Sequence, residues 1–339
     1  MPLVPLKPVL DAARAHGYAQ GAFNVNAVCQ AKAAIEVHEM FRSPVILQGA
    51  DLANAFMGGR ADFANGTVED KIRGAKNIGD AVRKFGENSP VPVVLHLDHG
   101  RDMESVKAAI AGGYTSVMID GSSLPFDENV ELTREVVRYA HERGVSVEGE
   151  LGVLAGVEDH VFAATSTYTN PLSAVDFVRK TGCDALAISY GTMHGPSKGA
   201  GVKLRREIPI AIRECLSHEG LECALVSHGS STVPRYIVDE INELGGDIQN
   251  AHGISLAELK AAIPAGINKI HVDTDIRLAV TRNMRELFER RPELRESPSI
   301  GGVYDLLAAN PSQPDPRAFL PAIYDTVMYG VVPDEDTQT

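Results

Sequence analysis

The chain has 339 residues, with 32 Lys+Arg against 45 Asp+Glu and a formal net charge of −13. So acidic a balance excludes broad nucleic-acid binding and attraction to anionic lipid, because both need a basic field. The length allows one large barrel or two smaller domains with a substantial core, and no run approaches the ~20 apolar residues of a membrane helix.

The N-terminal MPLVPLKPVLDAARAHG has no charged region leading into a long apolar run, so it does not read as a signal peptide. Cys29, Cys183, Cys215 and Cys223 show no CxxC spacing, and a reducing cytosol is their simplest setting. Eight short apolar, β-branched runs then follow one another. They are 22–26 (AFNVN), 44–48 (PVILQ), 91–98 (VPVVLHLD), 116–120 (SVMID), 146–151 (SVEGEL), 185–190 (ALAISY), 224–228 (ALVSH) and 268–273 (NKIHVD). Amphipathic helical patterns separate them, as at 27–41 and at 128–143, where Val130, Val136, Val137 and Ala140 recur at helical spacing. Asn170 before Pro171 reads as an N-cap with proline at the first helical position, and Gly182 as the stop of that helix.

Eight β-then-α units predict an α/β fold, a single-domain (β/α)8 TIM barrel over residues 1–330. A doubly wound open sheet is the rival, but its Gly-rich first turn is missing from AFNVNAVCQ. Segments 49–67 and 152–171 read as long loops leaving the C-terminal ends of strands, the face where barrel active sites lie. Residues 291–330 form an extra C-terminal segment: a polar, Pro-rich wrap over 291–317, then a last helix over 318–329. Residues 331–339 read as a flexible tail.

The candidate chemistry sits at strand ends. His99, His194 and His228 each precede a glycine, which lets the backbone turn tightly, and Glu150 ends the fifth run. In a barrel these ends converge on one mouth, and three imidazoles with one carboxylate suit Zn²⁺. His16, His38, His141, His160, His218 and His252 read instead as solvated or structurally satisfied. Asp98 shares the parity of His96 and points opposite to Leu97 and His99. It reads either as an acid/base group facing the pocket or as the partner that orients a histidine ligand. Glu158 and Asp159 read either as a solvated pair or as a mobile carboxylate that closes over the site. His228-Gly229-Ser230-Ser231 leads into STVPRYIVDEINELG, predicted to offer hydroxyls and the N–H groups of a helix start to an anion. With Gly195, Lys198, Asp273, Thr274 and Arg277 it makes a phosphate site at the last two strands. Lys269 is the one amine placed for Schiff-base chemistry.

The co-linear blocks AFNVN, PVILQ, VVLHLDHG, TSVMIDGSSLPFDENV, SVEGELG, ALAISYGTMHGPSK, SHGSSTVP and DTDIR cover most of the chain. Together they resemble the class II, metal-dependent fructose-1,6-bisphosphate aldolases, a (β/α)8 family. The resemblance implies that His99, His194 and His228 hold a catalytic Zn²⁺, with Glu150 a further or alternate ligand. It makes Asp98 the acid/base at the C4 hydroxyl, Glu158 the mobile loop carboxylate and Asn24 a substrate contact. Gly195, Lys198, Gly229, Ser231, Asp273 and Thr274 fall on the dihydroxyacetone-phosphate side, with Ser230 beside them, and Arg277 reaches the far phosphate. A monovalent cation, Na⁺ or K⁺, is expected on the carbonyls of Gly195 and Gly229.

The implied reaction makes or breaks the C3–C4 bond of a ketose bisphosphate, foremost fructose 1,6-bisphosphate. The implied setting is a cytoplasmic homo-oligomer, dimer or tetramer, with no nucleic-acid or membrane partner. Two departures keep alternatives open: His271 stands where the family usually has Asn, and Ala50 where it usually has Ser. His271 is grouped with the substrate contacts; it either replaces the Asn contact, binds a second metal, or marks another substrate. The alternatives are an aldolase for tagatose 1,6-bisphosphate or another ketose 1-phosphate, and a barrel that binds sugar phosphate without catalysis.

Overall fold

The computed structural model describes residues 3–59, 66–158, 161–199, 201–298 and 300–321, with the side chains of 157–162 outside that description. Its strands in chain order are β1 (Gln20–Asn24), β2 (Val45–Ala50), β3 (Val93–Gly100), β4 (Ser116–Ile119), β5 (Ser146–Leu151), β6 (Gly156–Glu158), β7 (Val161–Ala163), β8 (Ala185–Ile188), β9 (Ala224–Ser227) and β10 (Ile267–Val272). Eight of them close into a parallel barrel in the order β1-β10-β9-β8-β5-β4-β3-β2, while β6 and β7 form a separate antiparallel hairpin. Closure is direct, since β1 pairs in parallel with both β2 and β10. The open doubly wound sheet is therefore excluded.

The described helices are α1 (Leu6–His16), α2 (Val28–Phe41), α3 (Asp51–Met57), α4 (Val68–Gly86), α5 (Met103–Ala111), α6 (Phe126–His141), α7 (Pro171–Thr181), α8 (Glu207–His218), α9 (Arg235–Glu243), α10 (Leu256–Ala265), α11 (Thr274–Arg290) and α12 (Gly301–Ala309). Asn170 caps α7 by accepting from the amides of Leu172 and Ser173, and Gly182 ends it at φ 70°. Both match the sequence reading.

Strand alternation divides the core in two. Ala22, Ile46, Val94, Met118, Ala185, Ala187, Ala224 and Val226 point inward and pack on Leu6, Val9 and Leu10 of α1. Residues of the opposite parity, such as Leu47, Leu95, Val117 and Leu186, face the outer helices. Helix α1 thus closes the lower end of the barrel, and the upper end is left for polar groups. The sequence reading placed no helix there. Pro8 lies in its first turn, where the missing N–H costs nothing, and Gly17 stops it in the left-handed region at φ 68°.

Four other segments differ from expectation. The loop at 49–67 contains α3, seated on α4 so closely that a Cβ on Gly74 would come within 1.6 Å of the Asn54 carbonyl oxygen; residues 60–65 lie outside the description. The loop at 152–171 carries the β6–β7 hairpin. Helix α9 starts only at Arg235, because Pro234 and the left-handed Val233 (φ 48°) intervene, so Ser230 and Ser231 are not at a helix start. The polar wrap at 291–317 contains α12, whose Val303 and Leu307 join Phe288 and Phe319 in a small core of their own. The expected last helix at 318–329 and the tail at 331–339 lie largely or wholly beyond residue 321.

A Cβ on Gly79 of α4 would sit 1.9 Å from the Gly112 carbonyl oxygen at the end of α5. Gly79→Ala is expected to cost about 1–3 kcal/mol through overpacking. The denaturant midpoint measures it, and an unshifted midpoint would mean that the helices do not cross this closely.

Candidate active site

His96 and Asp98 on β3 share the inward parity of Val94. His99 has the outward parity, so an undistorted strand would bury it under the outer helices. The backbone resolves this: His99 adopts φ 46°, and the β3–β4 register shifts between Leu97 and Gly100. Such a conformation is uncommon for a non-glycine residue, and here it turns the imidazole into the mouth. Its Nδ1 lies 3.1 Å from Asp120 Oδ2, and Asp120 is itself fixed by the Ser122 amide (3.0 Å) and hydroxyl (2.7 Å). Of the three glycines after these histidines, Gly195 (φ 82°) and Gly229 (φ 60°) use positive φ. A Cβ on Gly229 would press to 2.4 Å from the Met193 carbonyl oxygen, so the glycine lets the turn after His228 close on the loop after β8.

The three predicted histidines do come together. The ring centroid of His99 is 4.8 Å from that of His228 and 5.4 Å from that of His194, and His271 joins at 4.6 Å from His228. Ligand atoms of Asp98, His99, His228 and His271 all lie within 4.8 Å of one another and are buried. Nitrogen donors with one carboxylate suit a divalent ion of the zinc type, so the donor set fits a metal. Glu150 belongs to a second such group, with His99 and Asp120. His194 stands slightly apart, its ring 6.4 Å from His228. In the chain without metal, burial pushes the His99 ring down, but Asp98, Asp120 and Glu150 outweigh it and hold the ring well above its ordinary value.

Beneath the histidines lies a fully buried ionic layer. Glu148 on β5 accepts from His228 Nε2 at 2.8 Å and from Lys269 Nζ on β10 at 2.7 Å. His96 Nε2 is 3.2 Å from the same Nζ, and its Nδ1 meets Ser116 Oγ at 2.8 Å. Burial alone would raise the Glu148 carboxyl, yet Lys269 and the two imidazoles hold it well below its ordinary value. Burial and Lys269 together push His96 down to about 3. Lys269, the Schiff-base candidate, is therefore committed to an ion pair.

Above this layer Asp98 Oδ2 accepts from Asn24 Nδ2 at 2.8 Å and lies 3.5 Å from His271 Nε2. Asn24 Oδ1 accepts from Gln48 Nε2 and His271 Nε2, each at 2.8 Å. The side chain of Glu158 lies outside the description, as does all of Asp159.

A cavity of about 250 Å³ opens beside the histidines. Gly195, Lys198, Gly229, Ser230, Ser231, His271, Asp273, Thr274 and Arg277 all line it. Ser231 Oγ accepts from the amides of Asp273 (3.2 Å) and Thr274 (3.1 Å), so the helix N-terminus at this mouth belongs to α11, not α9. Ser230 turns its hydroxyl toward Ser227 Oγ at 2.7 Å. Lys198 Nζ donates to the Met193 carbonyl. Arg277 pairs with Asp273 and, at 2.9 Å, with Asp315 Oδ2, which also receives Arg317 Nη2 at 2.7 Å. Gln313, Pro314, Asp315 and Arg317 form a further wall of the cavity.

Sequence reading missed this wall, together with Asp120, Glu148 and Gln48. Glu148 and Gln48 carried one usable signal: Glu148 has the inward parity of the predicted ligand Glu150, and Gln48 that of Ala50, noted as a departure from the usual Ser. The wall carried none, being brought in from a segment that looked like a surface wrap.

A family model described as "Fructose-bisphosphate aldolase class-II" matches residues 4–332. A fructose-bisphosphate aldolase of Giardia intestinalis is 42% identical over 294 residues, covering 86% of this chain and 85% of that one. That of Thermus caldophilus is 40% identical over 294 residues, covering 84% and 87%. Among solved structures, the YdjI aldolase of Escherichia coli K12 superposes with TM-score 0.63 at 26% identity, covering 96% of this chain and 95% of that one.

Removing one partner of a buried ion pair strands the other. Lys269→Met is expected to lose about 3–5 kcal/mol of stability, and Glu148→Gln added to it should restore most of that. Equal denaturation midpoints for the wild type and Lys269→Met would contradict the pairing.

Proposed function

The chain belongs to the class II fructose-bisphosphate aldolase family and is an aldolase, and on that premise we propose that its substrate is fructose 1,6-bisphosphate, cleaved to dihydroxyacetone phosphate and glyceraldehyde 3-phosphate. The observation that carries the reading is Asp98: a fully buried carboxylate, set among the histidines beside a cavity walled by Lys198, Arg277 and the first turn of α11.

His99, His194 and His228 would hold a Zn²⁺, with Glu150 as an alternate ligand beside His99. When bound, this ion supplies Lewis-acid stabilisation of the negative charge that develops on the ketose oxygens. The remaining work falls to the chain. Asp98 takes the proton of the C4 hydroxyl as C3–C4 breaks, and the proton moves the other way in condensation. Asn24 orients Asp98 through its 2.8 Å hydrogen bond and keeps it as an acceptor. Glu158, at the end of β6, delivers the proton to C3. Lys198 and the hydroxyls of Ser231 and Thr274 grip the phosphate, with Gly229, Ser230 and Asp273 shaping the turn around it. Binding energy from this remote group positions the reacting bond. Arg277 addresses the far phosphate. A monovalent cation, Na⁺ or K⁺, would sit on the carbonyls of Gly195 and Gly229.

No described helix is long and apolar enough to cross a membrane. A cytoplasmic setting and a dimeric or tetrameric assembly complete the proposal. A second reading, in which the aldehyde half differs, as in tagatose 1,6-bisphosphate, is favoured by His271 and Ala50 at the reacting end. A kcat/KM panel over the sugar phosphates separates the two, and a clear preference for another ketose phosphate would overturn the first.

Exhaustive chelation is expected to abolish cleavage and added Zn²⁺ to restore it. Asp98→Asn is expected to lower kcat by about 10²–10⁴. Cleavage that survives chelation, or an Asp98→Asn protein that keeps the wild-type kcat, would overturn the mechanism.

A further inference from the structure

Two hydrogen-bond chains that share no residue end on the same point. In the first, Glu148 accepts from His228 Nε2 at 2.8 Å, and Lys269 holds the other carboxylate oxygen at 2.7 Å. A carboxylate held this way can only accept, so His228 carries its hydrogen on Nε2 and a neutral ring keeps its lone pair on Nδ1. In the second, Asp98 accepts from Asn24, which fixes the amide with Nδ2 toward Asp98 and Oδ1 away from it. That oxygen faces His271 Nε2 at 2.8 Å. His271 must donate there, which in a neutral ring leaves its own lone pair on Nδ1. The two Nδ1 atoms then meet at 2.9 Å. Two lone pairs at that separation repel unless an electron-pair acceptor, a proton or a metal ion, stands between or beside them.

We propose that His271 is a ligand of the divalent metal ion at this mouth, binding through Nδ1 next to His228 Nδ1. The inference rests on the metal assignment made above and adds an imidazole to it. Two nitrogens about 2.0–2.1 Å from one tetrahedral ion stand about 3.3 Å apart. The observed 2.9 Å has to open by only a few tenths of an ångström. His271 shares the compact donor group of Asp98, His99 and His228. An asparagine at this position would offer no imidazole nitrogen, so the residue that departs from the usual pattern is the one that enriches the site in nitrogen donors. Each ring is oriented by a carboxylate, His228 directly and His271 through Asn24, the arrangement by which proteins aim imidazole ligands.

The test is X-ray absorption spectroscopy of the protein loaded with one equivalent of Zn²⁺ and no substrate, alongside chelator competition. The wild type is expected to show four imidazoles and His271→Asn three, with Zn²⁺ held at least about tenfold less tightly in the variant. Three imidazoles in the wild type, or a count and affinity unchanged in the variant, overturn the inference while leaving the metal assignment intact. A protein that takes up no Zn²⁺ overturns both. A role for His271 in contacting substrate alone would change KM and leave the absorption spectrum as it was. Should His271→Asn fail to fold, the imidazole count of the wild type decides by itself.

Discussion

A carboxylate with no access to water has to be matched by charge and donors or it will not stay ionised. Glu148 meets that condition inside the barrel, and much of the site depends on how it does so. Lys269 occupies one of its oxygens, which leaves the other for His228. That choice fixes which nitrogen of His228 faces the mouth. The barrel's two-residue alternation supplies the geometry: Glu148 and Glu150 on β5, Lys269 and His271 on β10, and His96 and Asp98 on β3 are paired steps up the same inner wall. The lower step holds the ionic layer and the upper step holds the chemistry. Beneath both, the inward side chains turn apolar and meet α1. The interior therefore grades from dry and hydrophobic at the bottom to charged at the top within a few residues of each strand.

Much of this was legible in the sequence. The eight apolar runs lie where the strands form, because buried parallel strands leave a continuous apolar signature. His99, His194 and His228 were visible because strand ends converge in a closed barrel. What stayed hidden was hidden for particular reasons. Parity argued that His99 points away from the mouth, and only a positive-φ residue with a register shift reverses it. Neither is readable from a His-Gly pair. Glu148 and Lys269 are far apart in sequence, and nothing local shows that each is the other's counter-ion. Helix α1 was obscured by prolines whose effect depends on where the first turn begins. The start of α9 was misplaced because Pro234 could open a helix but could not show that Val233 had already left it. The wall from Gln313 to Arg317 was misread as solvent-facing because its partners, Arg277 and Thr281, belong to α11, with α12 lying between them in the chain.

The overall charge and the local charge point in opposite directions. The chain carries −13 in total, yet Lys198, Arg277 and Arg317 line one small cavity. Asp315 and Asp273 hold the two guanidinium groups in place. Burial raises the Asp315 carboxyl, but Arg277 and Arg317 outweigh it and keep it below its ordinary value. Positive groups fixed in this way are already ordered before a ligand arrives, so less conformational entropy is lost on binding. An acidic exterior around such a pocket favours small anions that fit it and repels polyanions that cannot enter.

The position of α1 has a consequence for how the molecule is made. Leu6, Val9 and Leu10 sit on residues from β1, β2, β3, β4, β8 and β9, and the Lys7 amide donates to Ser146 Oγ on β5 at 2.9 Å. The ribosome delivers this helix before every strand of its seat, and that seat spans almost the whole circle and is complete only after β10 has emerged. For most of synthesis its apolar face has no native partner. An amphipathic helix of 11 residues is marginal by itself in water. It therefore docks late, as the stopper of a vessel whose walls are made after it, and the nascent chain carries an exposed sticky helix for as long as the barrel stays open.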